Sequence, residues 1–281
     1  MTNLVFLAVL FAALCHAGWN ALIKAGLDPL STTALISLGS GVVALVVLPF
    51  VGMPAPAAWP WIVASAIVHL FYFAALAESY RTGDLGQVYP IARGSAPLMT
   101  AVASLVFVGE RLNAWSWIGI AILACGVLLL SVRGGREFAH VDKRAVGFAL
   151  LTALAICVYY VIDGVGARAS LNAPSYVLWL FVGIAIVLPP YALWRDRQGM
   201  VSAMRGFWLR GLAGGALQTF SYGVAVWAMT VAPIAIVVAL RETSVLFGAV
   251  IAVVVLREPL RATRIGAALL ILCGLILLRL Q

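Results

Sequence analysis

The chain has 281 residues, 64% of them hydrophobic and only 10% charged, with a mean hydropathy of +1.09 and a formal net charge of +8. A soluble domain needs polar surface to cover its core, so this composition excludes one, and most of the surface must face lipid. The basic excess does not point to nucleic acid, because the Lys and Arg residues are scattered through short loops rather than gathered into a stripe.

A hydrocarbon layer of about 30 Å takes roughly 20 apolar residues per helix, so a chain of this length holds about ten crossings. Apolar runs predict helices at 4–23, 31–51, 60–81, 85–108, 114–132, 145–167, 174–194, 208–230, 233–256 and 262–280. They lack the alternation of a membrane barrel strand, so helix is the reading throughout. The first run is expected to remain a helix rather than a cleaved leader, since Met1-Thr2-Asn3 carries no basic residue. Prolines and glycines mark the breaks, and tryptophans such as Trp59, Trp61, Trp115, Trp117, Trp194 and Trp208 lie near the run ends, at interface depth.

Polar groups inside such runs are costly and are expected to face a cavity or a partner. In the first run His16, Asn20 and Lys24 are four apart and share a helical face, with Trp19 beside it. The third run carries His69, Tyr72, Glu78 and Tyr80. The fourth carries Tyr89 and then Arg93, between Pro90 and Pro97. The sixth has Tyr159, Tyr160 and Asp163; the eighth has Gln218, Tyr222 and Trp227; the ninth has Arg241 followed by Glu242. The arginines read either as a cationic site for a carboxylate or as ion pairs to Glu242 or Glu78. The aromatics with one polar tip read either as packing or as the wall of a mostly apolar cavity for a small amphiphile. The expected substrate-binding set is His16, Trp19, Asn20, His69, Tyr72, Tyr89, Arg93, Tyr160, Gln218, Tyr222, Trp227 and Arg241. Glu78 and Asp163 are in-span acids that a coupling proton would use, although Asp163 equally suits a water boundary. Glu110 and Glu258, at turns that open helices, read as caps.

Cys15, Cys125, Cys157 and Cys273 lie inside apolar runs, so neither a disulfide, a metal site nor a cofactor is expected. There is no His-Glu-x-x-His or Gly-x-Ser-x-Gly, and no enzyme is expected.

The stretch Ala92–Leu130 recurs at Leu240–Leu278 without a gap, at a constant offset of 148 positions (241 − 93). Arg93 falls on Arg241, Leu98 on Leu246, Glu110 on Glu258 and Cys125-Gly126 on Cys273-Gly274. The polar stretch Arg133–Arg144 divides the chain into halves of five runs. An odd number of crossings makes the second half enter from the opposite side, so the halves are expected to be inverted copies. The expected units are 1–133, a connection at 134–144, and 145–281. One set of loops and termini holds Arg111, Arg168 and Arg279; the other holds Lys24, Arg81, Arg133, Arg136, Lys143, Arg144, Arg195, Arg197, Arg205, Arg210, Arg257, Arg261 and Arg264. The richer set belongs in the cytoplasm, which puts both termini in the periplasm.

The duplication, the Gly-Glu-Arg-Leu and Arg-Glu-Pro-Leu turns at 109–112 and 257–260, and the repeated Cys-Gly resemble the drug/metabolite transporter superfamily of EamA type. Tyr89-Pro90-Ile91-Ala92-Arg93-Gly94 and His16-Ala17-Gly18-Trp19-Asn20 are similar to one bacterial branch. The resemblance implies an all-α integral membrane protein, with ten transmembrane helices in two inverted five-helix EamA repeats around a central cavity. It further implies a multi-pass protein of the bacterial inner membrane that exports amino acids or related small metabolites by alternating access. Multidrug, phosphorylated-metabolite and lipid-linked sugar transport stay open as alternatives of the same fold. Many members place both termini in the cytoplasm, against the charge bias here. The expected partners are a small-molecule substrate and the bilayer, with possible proton coupling and no nucleic acid; a monomer is expected.

Overall fold

The computed structural model describes residues 1–23, 29–82, 85–130, 143–254 and 262–280, without side-chain placement at 21–23, 29, 77–82, 85–90, 130, 252 and 262. The connection at 134–144 thus lies almost wholly outside the described residues, as do Lys24 and Glu258. The elements in order are α1 (Asn3–Ile23), α2 (Pro29–Val51), a 3₁₀ turn (Pro56–Ala58), α3 (Trp59–Thr82), α4 (Leu85–Ala103), α5 (Ala114–Leu130), α6 (Lys143–Ser170), α7 (Ala173–Arg195), α8 (Arg197–Val231), α9 (Ile234–Arg241), α10 (Ser244–Val254) and α11 (Ala262–Arg279). Among the described residues seven spans are long and apolar enough to cross a membrane, α9 and α10 together forming one of them, and α5 is a shorter apolar helix. The described chain is an all-α, multi-pass membrane protein.

Large apolar side chains point outward, where lipid would be. On α1 the stripe Leu4, Leu7, Phe11 and Leu14 is exposed at helical spacing, and Phe50 and Phe107 are more than 80% exposed. The interior is built largely from small residues such as Ala12, Ala34, Ala44, Ala149 and Ala153, all fully buried. Apolar lipid gives helices little hydrophobic reason to associate, so close backbone packing takes over. Thus α2 packs on α7 and α8, α3 and α4 pack on α6, and α5 packs on α11.

Three elements differ from the runs read in the sequence. The ninth run is not one helix: it breaks at Glu242-Thr243, where the Thr243 N–H and hydroxyl both donate to the Leu240 carbonyl, at 3.1 and 2.7 Å. The eighth helix starts early, at Arg197 behind an Asp196 cap, and leaves helical geometry at Phe207 (φ −134°), where the apolar part begins. The fourth ends in a wider π turn, Ser104–Val108, closed by Gly109 at φ +77°. That left-handed conformation is one that glycine adopts without steric cost.

One end of the molecule is laced together across the chain. The Asn172 side chain caps α7 and donates to the Val51 carbonyl at 2.8 Å, and Ser175 donates to the Gly52 carbonyl at 2.8 Å. Glu110 was expected to cap the helix that its own turn opens. That cap is supplied instead by Asn113, which accepts from the Ser116 N–H at 2.8 Å. Glu110 accepts from the Ile234 N–H at the start of α9, at 2.8 Å, and pairs with Arg168 of α6. Arg168 also donates to the carbonyls of Met229 and Ala232.

Candidate functional site

The in-span polar residues converge where α9 gives way to α10. Arg241 occupies the last turn of α9, where the carbonyl end of the helix favours a cation. Glu242 follows in the break, just ahead of α10, and is fully buried. Arg93 reaches it from α4, its Nη1 donating to Glu242 Oε1 at 3.0 Å. The ion pair to Glu242, one of the two sequence readings of Arg93, is present. Glu78 is outside the described side chains.

His16 of α1 lies between the two arginines. Its Nε2 is 2.9 Å from Arg93 Nη2 and its Nδ1 is 3.0 Å from Arg241 Nη2. A neutral imidazole offers one lone pair and one N–H, so it accepts from only one of the two guanidiniums. The Arg241 guanidinium also donates to the Tyr160 hydroxyl and lies over the Tyr222 ring, its Cζ 4.9 Å from the centroid. Among the described residues Arg241 has no carboxylate partner, although it is only 4% exposed. Arg241 Nε, Glu242 Oε2 and the nearby Trp19 Nε1 are buried without hydrogen-bond partners among the described residues. Arg241 is therefore a buried cation with no acid beside it among the described residues and with one donor unmet. An interior group left so costs about 1–3 kcal/mol, more when charged, so the arrangement favours an incoming anion with acceptor oxygens.

Beside this network is an aromatic cluster with a second acid. Tyr160 and Tyr222 lie nearly parallel at 6.3 Å, Tyr159 stacks on His69 at 4.2 Å, and Tyr72 meets Tyr159 edge-on. Asp163 of α6, fully buried, accepts from the Tyr176 hydroxyl at 2.8 Å and from the Tyr222 hydroxyl.

His16, Arg93, Tyr160, Tyr222 and Arg241, all read from the sequence, thus form one contact network, with Trp19 edge-on to His16 at 5.1 Å. His69 and Tyr72 join through Tyr159. Asn20 and Gln218 have other partners: the Asn20 amide donates to the His16 carbonyl of its own helix at 2.8 Å, and Gln218 accepts from Ser40 of α2 at 3.3 Å. Trp227 is half-buried and packs against the core. Tyr89 is outside the described side chains. Glu242, Asp163 and Tyr176 were missing from the set, and the cost of an acid inside a span was the signal that pointed to the first two.

The model of the EamA-like transporter family matches the chain twice, over residues 3–132 and 143–280. An uncharacterized transporter encoded in the cobO 3' region of a Sinorhizobium species is 41% identical over 63 residues, which are 22% of this chain and 41% of that protein. The match spans about two fifths of that relative's length. A solved crystal structure superposes with a TM-score of 0.75 at 18% identity, covering 99% of this chain and 96% of the other, a likeness of fold. With both matched stretches together spanning nearly its full length, the chain belongs to the EamA-like transporter family, within the drug/metabolite transporter superfamily.

Proposed function

We propose that this transporter exports amino acids or related small metabolites across the bacterial inner membrane by alternating access, with the substrate carboxylate received at Arg241. The observation that carries this reading is a deeply buried guanidinium without a carboxylate partner among the described residues, walled by Tyr160 and Tyr222. His16 and Arg93 complete the cationic side, and the aromatic cluster from Tyr72 to Tyr222 offers an apolar wall for a variable side chain.

The proposed architecture is two inverted five-helix repeats, 1–133 and 145–281, joined at 134–144. Ten crossings follow if α5, α11 and the part of α8 beyond Phe207 cross beside the seven long apolar spans. The two separate family matches and the 148-residue offset between Arg93 and Arg241 support this reading. So does the broken span, because half-helix ends at mid-membrane suit ion and carboxylate binding. The charge bias of the loops puts both termini in the periplasm, and a chain carrying both repeats works as a monomer.

The test is efflux of labelled amino acids from proteoliposomes, with protein-free vesicles as the reference. Wild type is expected to release at least one amino acid well above the reference, and Arg241→Gln to slow this roughly tenfold or more, the factor given by losing about 1.4 kcal/mol of binding. No flux of any amino acid, or full flux in Arg241→Gln, overturns the reading.

A further inference from the structure

We infer that Asp163, held by Tyr176 and Tyr222, is the subsite for a substrate ammonium group, so that the transported species is a zwitterion whose carboxylate lies at Arg241. This rests on the carboxylate reading of Arg241 and specifies what the other end of the substrate must carry.

A carboxylate has about four lone-pair positions, and among the described residues those of Asp163 meet neutral hydroxyls alone, of Tyr176 and Tyr222 with that of Ser65 beside them. No ion pair to Asp163 forms among the described residues, and His69, the nearest cationic candidate, turns its Nδ1 back to the Ser65 carbonyl at 2.9 Å. The carboxyl group is fully buried. Tyr222 joins it to the cationic side: its hydroxyl donates to Asp163 while its ring lies under the Arg241 guanidinium. A positive and a negative pole thus flank a single phenol ring, and ring faces themselves attract ammonium.

Charge balance makes the same point. Arg93 has Glu242, and among the described side chains Arg241 and Asp163 are then one buried cation and one buried carboxylate without an ion-pair partner, which together sum to zero. A zwitterion enters without changing that sum. A simple carboxylate leaves one negative charge in excess and a simple amine one positive, and uncompensated charge at membrane depth is expensive. An α-amino acid, with both charges on one carbon, meets both poles at once.

The experiment is competition in proteoliposomes. Once a labelled amino acid is moved by wild type, its transport is competed with the same amino acid, with its deaminated acid and with its decarboxylated amine. For wild type the amino acid is expected to compete roughly tenfold better than either truncated compound, equivalent to about 1.4 kcal/mol. In Asp163→Asn this preference over the deaminated acid is expected to fall to within about twofold, the preference over the amine being kept because Arg241 is intact. Wild-type vesicles that move no amino acid overturn the export reading and this one with it. Wild-type vesicles that take the deaminated acid as well as the amino acid overturn the ammonium subsite alone, whatever the variant does. So does an Asp163→Asn protein that keeps the wild-type preference, including one that has lost only its response to a pH gradient.

Discussion

Arg93 and Glu242 meet at 3.0 Å, and this contact ties α4 to the break between α9 and α10. Both side chains are less than a tenth exposed, so neither can turn to water if the other is lost. Removing one member of a buried pair leaves an uncompensated charge and costs about 3–5 kcal/mol. Glu242→Gln is therefore expected to lower the melting temperature of the detergent-purified protein substantially. Arg93→Met together with Glu242→Gln should cost less than the two singles added, by about 0.5–3 kcal/mol of coupling. Additive losses would show that the pair does not act as a unit.

His16 lies between the Arg93 and Arg241 guanidiniums, with one ring nitrogen within hydrogen-bond distance of each. His16→Phe keeps the ring but removes both nitrogens. Arg93 keeps Glu242, whereas among the described residues Arg241 keeps only the Tyr160 hydroxyl and the ring faces. The variant is expected to lose about 1–3 kcal/mol of stability, the cost of leaving a buried donor unmet. Added substrate carboxylate should recover part of that loss in the same melt, because it gives an acceptor to the Arg241 guanidinium, whose Nε has none among the described residues. A His16→Phe protein as stable as wild type would show that the imidazole carries no such burden.

Glu110 and Arg168 hold together the loop-bearing end that the charge bias assigns to the periplasm. Glu110 joins α6 to the start of α9, so α9 cannot move away from α6 while this contact stands. Alternating access requires one face to be held while the other opens. Glu110→Gln removes the charge and is expected to open that face more often. The readout is alkylation of a cysteine placed at Ala167, which is 1% exposed, by an impermeant maleimide in a background without Cys15, Cys125, Cys157 and Cys273. Labelling should quicken roughly tenfold if the contact is worth about 1.4 kcal/mol. An unchanged rate would mean that the contact does not hold the face shut.

How much of this was legible follows from the range over which each feature is determined. Apolar runs of about twenty residues specify helices locally, so α1, α2, α6 and α7 sit close to their expected places. The break at Glu242-Thr243 was not legible, because the repeat mate Gly94-Ser95 follows the same arginine and α4 runs through it unbroken. The start of α8 is hard to see in the sequence, since Arg197, Arg205 and Gly206 interrupt the apolar pattern, although Asp196 is a good cap. In-span polar residues were found because their cost marks them, but their partners lie far off in the chain. Arg93 and Glu242 are 149 positions apart, and Glu110 and Ile234 are 124 apart. His16 and Asn20 lie one helical turn apart on α1, yet the Asn20 amide binds its own backbone.

The interface of α2 with α8 depends on glycine in a way that a substitution can measure. A Cβ on Gly215 would lie 2.3 Å from the Ser40 nitrogen and 2.4 Å from the Gly39 carbonyl carbon, and one on Gly39 would lie 2.2 Å from the Gly211 oxygen. All of these are backbone atoms, which cannot rotate away as a side chain does, so the helices themselves must separate. The Ser40 hydroxyl, which donates to the Gly215 carbonyl at 3.2 Å, would lose that bond as they part. Gly215→Ala is expected to cost about 1–3 kcal/mol, the usual penalty for overpacking, despite the better helix propensity of alanine. Gly147→Ala is the control: Gly147 is exposed on α6 and a Cβ there meets no described heavy atom within 4 Å. In a helix interior that change gains about 0.5–1 kcal/mol. Melting of both variants in one detergent should therefore move in opposite directions. Equal shifts would mean that α2 and α8 are not packed through their backbones.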